Sequence, residues 1–141
     1  MLNRALAGTY PPGSTFKPFM ALAALAFGKR TPQQGISDPG YFWLGNHKFR
    51  DDAEFGHGWV DMYKSIVVSC DTYYYVLAND LGIENIAKFM SQLGFGSRTG
   101  IDLTGEAAGT LPSRDWKKKR FGRDWFAGET VSVSIGQGYN A

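Results

Sequence analysis

The chain has 141 residues, the size of a single domain, and its 43% hydrophobic, 15% aromatic and 20% charged composition excludes a disordered tail. Fifteen Lys and Arg against thirteen Asp and Glu leave a formal charge of only +2, which excludes nucleic acid or another polyanion bound through bulk charge. The longest apolar stretch, Phe19 to Phe27, falls far short of the roughly 18–20 residues of a membrane span. It runs straight into Gly28-Lys29-Arg30 and reads as a buried helix. Met1-Leu2-Asn3-Arg4 opens no charged and then apolar leader, so no signal peptide is expected. Residues 8–13, Gly-Thr-Tyr-Pro-Pro-Gly, cannot be helical, because two prolines fix φ and restrict the residues before them. Ser14 then suits the N-cap or first exposed turn of a helix to about Phe27, with Pro18 tolerated near its start and Gly28 just past its end.

From Thr31 to Gly58 seven glycines and prolines interrupt any period, which predicts a long ordered loop. Helices are predicted at 61–68 and at 72–81, with Gly82 closing the second. Apolar residues at 83, 86, 87, 89, 90 and 93 form a 3.6-residue stripe that predicts a third helix, ended by Gly94. Residues 94–112 read as loop or short strand, and Ser113 as the cap of a short charged helix. Thr130–Ile135 alternates β-branched residues with Ser and predicts a strand or extended segment, followed by a turn at Gly136 to Gly138. The sequence ends in mid-motif without a polar tail, as expected of a fragment.

Ser14-Thr15-Phe16-Lys17 is the chain's one Ser-x-x-Lys. On a helix the two residues share a face, so the Lys17 amine can reach the Ser14 hydroxyl and act as the base that a serine nucleophile needs. The helix N-terminus favours a developing oxyanion near the Ser14 N–H. Alone, such a pair is also what a capping Ser and a solvated Lys give. Ser69-Cys70-Asp71 lies between two apolar helical runs. Asp38, Asp51, His57 and Cys70, spaced 13, 6 and 13 apart, form an oxygen, nitrogen and sulfur set acceptable to tetrahedral Zn²⁺. The spacing is no generic finger pattern. Turn-forming Asp residues, a surface His and a core Cys are the plain alternative, and His47 and Asp52 compete for ligand roles. Cys70 is the only cysteine, so an internal disulfide is excluded. Lys117-Lys-Lys-Arg120 reads as a solvated face, Ser113-Arg-Asp115 as the start of a charged helix and not a second copy of the Ser69-Cys70-Asp71 pattern, and Trp125, Phe126 and Tyr139 as core or cleft wall.

Tyr10-Pro-Pro-Gly-Ser14-Thr-Phe-Lys17-Pro18, with Asn3-Arg4-Ala5 before it, closely resembles the nucleophile segment of the penicillin-binding protein transpeptidases. Ser69-Cys70-Asp71 stands where that family has Ser-x-Asn. Phe95-Gly-Ser-Arg-Thr-Gly-Ile-Asp-Leu103 and Ile135-Gly-Gln-Gly-Tyr139 resemble segments that frame the cleft. Asp71 in place of Asn resembles the elongation branch of Gram-negative bacteria, and a carboxylate there would stabilise charged Lys17 and oppose its role as base. The resemblance implies a mixed α/β fold of the transpeptidase and serine β-lactamase kind, an antiparallel sheet flanked by helices, of which residues 1–141 supply mainly the helical part. The family's Lys-Thr-Gly strand would lie beyond residue 141, so that this piece alone is expected to be inactive.

The resemblance further implies a catalytic set of Ser14, Lys17, Ser69 and Asp71, with Ser69 relaying protons to the leaving group. It implies a structural Zn²⁺ on Asp38, Asp51, His57 and Cys70. The reaction implied is acyl transfer on peptidoglycan stem peptides, with β-lactams trapping Ser14. The expected location is the periplasmic face of the inner membrane, with elongation-complex membrane proteins as partners through regions outside this chain. A β-lactamase or D,D-carboxypeptidase on the same fold, or a truncated zinc-stabilised module without turnover, are the rival readings. The Tyr-Pro-Pro-Gly lead-in and Ser69-Cys70-Asp71 argue against the first two.

Overall fold

The computed structural model describes residues 3–139. In chain order it contains α1 (Arg4–Ala7), a 3₁₀ turn (Gly13–Phe16), α2 (Lys17–Ala26), β1 (Ile36–Asp38), β2 (Tyr41–Leu44), β3 (His47–Arg50), β4 (Gly58–Val60), α3 (Met62–Val67), α4 (Asp71–Leu81), α5 (Ile83–Gln92), α6 (Arg114–Phe121) and α7 (Ala127–Ser134). The sequence accounts for most helix ends. Asp61 caps α3 by accepting the Lys64 N–H, and Ser113 caps α6 by accepting the Trp116 N–H. Ser113-Arg-Asp115 is thus a helix start, as expected.

α4 is the centre of the molecule. Tyr73, Tyr74, Tyr75, Leu77, Ala78 and Leu81 are all buried, so most of its circumference is covered, and it packs against α2, α3, α5, α7 and the β2–β3 hairpin while Asn79 and Asp80 stay exposed. α2 is buried through Met20 and through Ala21, Ala23 and Ala24, whose small side chains allow close packing. α5 closes the other side through Ile83, Ile86 and Met90, part of the predicted stripe.

Two expectations fail. Residues 31–58 are ordered, as expected, but are not a loop throughout: β1 pairs antiparallel with β4, setting Asp38 opposite Gly58, and β2 pairs with β3 across the two-residue turn Gly45–Asn46. These strands are three or four residues long, too short to leave a readable period. Residues 130–134 are helical, not extended, and Ile135 is the C-cap. Thr130, Val131, Val133 and Ser134 are all buried, and packing on α4 overrides their β propensity. The helix start is tied by the Phe126 N–H donating to Glu129 at 2.8 Å and by Trp125 Nε1 donating to Thr130 Oγ1 at 2.8 Å.

The charged helix α6 also departs from expectation. Lys118, Lys119 and Arg120 are exposed, but Lys117 is 2% exposed and pairs with Glu129 at 2.5 Å. Trp116, Phe121 and Tyr139 form an aromatic cluster beside it, with Trp125 buried and Phe126 exposed. Among the described residues no helix is long and apolar enough to cross a membrane.

Candidate active site

The site grows from two tight turns. Pro11-Pro12 deliver the chain into the 3₁₀ turn, where Ser14 is exposed at the mouth, and α2 begins with Lys17, which is 2% exposed. Between α3 and α4 the chain reverses at Ser69, whose φ of +53° is the one left-handed backbone among the described non-glycine residues. That conformation costs an L-residue on the order of 1–2 kcal/mol and marks a turn held by its surroundings. Here the Ser69 N–H donates to Ile66 and the Cys70 N–H to Ser65.

The reversal aims three consecutive side chains at two different centres. Ser69 and Asp71 face Lys17. The Lys17 ammonium donates to the Ser69 carbonyl at 2.8 Å, to Ser69 Oγ at 3.0 Å and to Asp71 Oδ1 at 2.5 Å, and Ser69 Oγ donates to Ser14 Oγ at 2.9 Å. All three donors of the ammonium are therefore occupied, and Lys17 makes no direct hydrogen bond to Ser14; their link runs through Ser69. Helical spacing predicts a direct reach, but the 3₁₀ turn at Ser14 and the approach of the Ser69 turn put a hydroxyl between them. Burial pushes the Asp71 carboxyl above the usual carboxylate range, while its hydrogen bond and charge contact with Lys17 pull it down.

The second centre lies on the far side of Cys70. The β1–β4 ladder sets Asp38 beside His57, and the Asp51 N–H donating to Gly40 at 2.9 Å brings Asp51 to the same point. His57 Nδ1 is 2.9 Å from Asp38 Oδ2 and 3.2 Å from Asp51 Oδ2, and the Cys70 thiol lies 3.3 Å from each of those oxygens. The four donor atoms lie within 4.8 Å of one another. These contacts are near the roughly 3.3–3.8 Å edges of a tetrahedron built on zinc bonds of about 2.0–2.3 Å. Both carboxyls are fully buried, an arrangement that a cation between them would relieve.

Burial alone would raise the Asp38 carboxyl. Its hydrogen bonding with Asp51, the Gly40 N–H and His57 outweighs that and holds it well below the usual range. Burial pushes the Cys70 thiol far up, and the Asp51 and Asp38 carboxyls add to this. A bound cation reverses that penalty by stabilising the thiolate. The donor set therefore fits a metal such as zinc. His47 and Asp52 are exposed and outside the cluster, His47 stacking edge-on against Phe49. Sequence reasoning missed Thr72, whose N–H and hydroxyl donate to Asp51 at 3.4 and 3.1 Å; a Thr in the first turn of a helix carries no distinguishing signal.

An α-helical core that presents a Ser-x-x-Lys turn to a Ser-x-Asp turn agrees with the comparisons to known proteins. The chain belongs to the penicillin binding protein transpeptidase domain family, whose model matches residues 1–141. It is 51% identical over 140 residues to the peptidoglycan D,D-transpeptidase MrdA of Acinetobacter baumannii, covering 98% of this chain and 21% of that one. To MrdA of Escherichia coli K12 it is 44% identical over 141 residues, covering 99% and 22%. The chain thus spans about a fifth of the length of these curated relatives. Its fold matches the Pseudomonas aeruginosa penicillin-binding protein 2 in complex with WCK 5153, with a TM-score of 0.94 and 49% identity over 99% of this chain and 32% of that chain. It matches the Helicobacter pylori penicillin-binding protein 2 in complex with MreC, with a TM-score of 0.94 and 40% identity over 99% and 26%. The mixed α/β transpeptidase fold is established by these likenesses.

Proposed function

We propose that the full-length protein is an elongation-type peptidoglycan D,D-transpeptidase, to whose transpeptidase domain this chain contributes the nucleophile Ser14 and the Ser69-Cys70-Asp71 turn. The single observation that carries the reading is the unbroken hydrogen-bond chain Lys17–Ser69–Ser14. As drawn, protons point from Lys17 through Ser69 toward Ser14, the direction that returns a proton to the serine. For attack the order reverses, since hydroxyl hydrogens rotate freely. Ser14 O–H donates to Ser69, and Ser69 O–H donates to an uncharged Lys17 amine.

Ser14 Oγ then bonds to the carbonyl carbon between the two terminal D-alanines of a stem peptide. The C–N bond breaks, the proton held by Lys17 passes through Ser69 to the leaving amine, and D-alanine departs. The amine of a neighbouring stem peptide attacks the Ser14 ester and gives up a proton through Ser69 to Lys17, the bond from the carbonyl carbon to Ser14 Oγ breaks, and Ser14 regains a proton along the same route. A β-lactam ring opened by Ser14 would form the same ester with no leaving amine to depart.

Asp38, Asp51, His57 and Cys70 would hold a structural Zn²⁺, which supplies positive charge to offset the two carboxylates and the Cys70 thiolate. Cys70 sits between Ser69 and Asp71, so the anchor of the 36–60 ladders also fixes the catalytic turn. Stem peptides and β-lactams are the substrate-side partners. The reaction places the protein at the periplasmic face of the inner membrane, and the MreC complex of the Helicobacter pylori relative supports a protein partner of that kind.

The test is D-alanine release and cross-linking by the full-length protein on pentapeptide-bearing glycan strands. Ser14→Ala should abolish both, and Lys17→Ala should slow them by about 10²–10⁴-fold, the usual worth of a general base. D-alanine release that survives Ser14→Ala would overturn the reading.

A further inference from the structure

Buried Phe16 and Lys17 anchor the turn after Ser14, but the backbone leading into it has few anchors of its own. Ser14 is exposed, its side chain hydrogen-bonds to Ser69 alone, and the Thr15 hydroxyl bonds only to Pro12, three residues back. Apart from helix-internal bonds, a single backbone hydrogen bond ties residues 8–16 to a distant segment among the described residues. The Gly13 N–H donates to the Gly136 carbonyl at 3.0 Å.

Gly136 lies just beyond the C-terminal end of α7. Its N–H donates to Val133, and the following Gln137 N–H donates to Ser132, so the segment closes the helix while presenting its carbonyl outward. Two features require glycine here. The φ of +71° is left-handed, and a Cβ would lie 2.2 Å from the Gly13 oxygen and 2.5 Å from its nitrogen. Those are backbone atoms, which cannot swing aside as a side-chain tip can. α7 is itself held firmly, by its packing on α4 and by Glu129 on buried Lys117.

We propose that Gly136 is a positioning residue for the nucleophile. The bare backbone at the end of α7 clasps Gly13 and fixes Ser14 Oγ against the Lys17–Ser69 relay. The inference rests on the acyl-transfer reading. It assigns Gly136 alone, of the glycines in this segment, a task at the serine itself.

The consequence is a rate effect. An Ala Cβ at 2.2 Å stands more than an ångström inside ordinary contact, so the Gly13–Ser14 turn must move by about that distance. A 1 Å misplacement of a reacting group costs about a hundredfold in rate. Gly138 supplies a control, because its φ of +72° imposes the same strain on Ala while its Cβ would meet only Ser132 Cβ, at 3.5 Å.

The experiment is single-turnover acylation of the full-length protein by a fluorescent penicillin, separating the acylation rate constant from the non-covalent dissociation constant. Gly136→Ala should lower the rate constant by about 10- to 100-fold, and Gly138→Ala by less than about threefold, each with the dissociation constant unchanged. A purely structural role would instead reduce the fraction of protein that labels and leave the rate constant of that fraction alone. An unaltered rate constant in Gly136→Ala, or an equal loss in Gly138→Ala, overturns the clasp.

Should Gly136→Ala not fold, hydrogen exchange on the wild-type protein decides. The Gly13 amide should be protected relative to the amides of Thr9 and Tyr10, and exchange as fast as theirs refutes the bond. If wild-type acylation does not require Ser14, the proposed function fails. If it does and Gly136→Ala labels normally, only the clasp fails.

Discussion

Asp71→Asn isolates the charge beside Lys17, because the amide keeps an acceptor oxygen and nearly the same volume. The carboxylate sits 2.5 Å from the ammonium with the Asp71 side chain 10% exposed, so solvent screens the pair little. A hydrogen bond to a charged partner is worth about 1.5–3 kcal/mol against about 0.5–1.5 for a neutral one. The difference, about 1–1.5 kcal/mol, corresponds to about one pH unit at 1.36 kcal/mol per unit, and an opposite charge this close shifts titrations by about 1–3 units. The sign follows from the role of Lys17: it must lose a proton to act as base, and the carboxylate favours the protonated form. The acid limb of the acylation profile should therefore move to lower pH by about one to two units in Asp71→Asn. The assay is penicillin acylation of the full-length protein from about pH 5 to 9, with thermal melting as a fold check. A profile that stays in place, or that moves to higher pH, would refute the assignment of Asp71 as the partner that restrains Lys17.

Purified, tag-free full-length protein should carry about one zinc per chain by mass spectrometry, lost in Cys70→Ser and His57→Ala, because four ligands complete a structural site. Zinc affinity should fall as pH drops through mild acid, since protons compete for the Cys70 sulfur and the His57 imidazole; affinity flat with pH would exclude those ligands. Glu129→Ala strands the buried Lys117 ammonium and should cost about 3–5 kcal/mol in stability, whereas Lys117→Met with Glu129→Leu should recover most of that loss. Denaturant unfolding checks this, and a single mutant as stable as wild type would show that the pair is solvated.

The helices with one apolar face and a capping residue were legible, because Asp61, Ser113 and the stripe from Ile83 to Met90 act within a few residues of themselves. α7 was not. Its β-branched residues favour extended backbone, and what overrides them is burial against α4, some fifty positions away in sequence. The short ladders in residues 31–58 are likewise non-local pairings of three and four residues. The four metal-set residues were recognisable as a donor set, but only the β1–β4 register explains why Asp38 and His57 meet. Lys117 read as one of four solvated charges because nothing marks Glu129 as its partner. The Lys17–Ser14 pair was legible as a pair. The hydroxyl of Ser69 between them depends on a left-handed turn at a serine, which sequence does not announce.

The central claim is that Ser14 is the acylated nucleophile, and peptide mapping of the full-length protein after treatment with a penicillin tests it most directly. The account predicts one adduct of the intact drug mass per chain, on the peptide holding Ser14 to Lys17, absent in Ser14→Ala and slowed in Lys17→Ala. An adduct on any other residue, or a Ser14→Ala protein that labels normally, would contradict it.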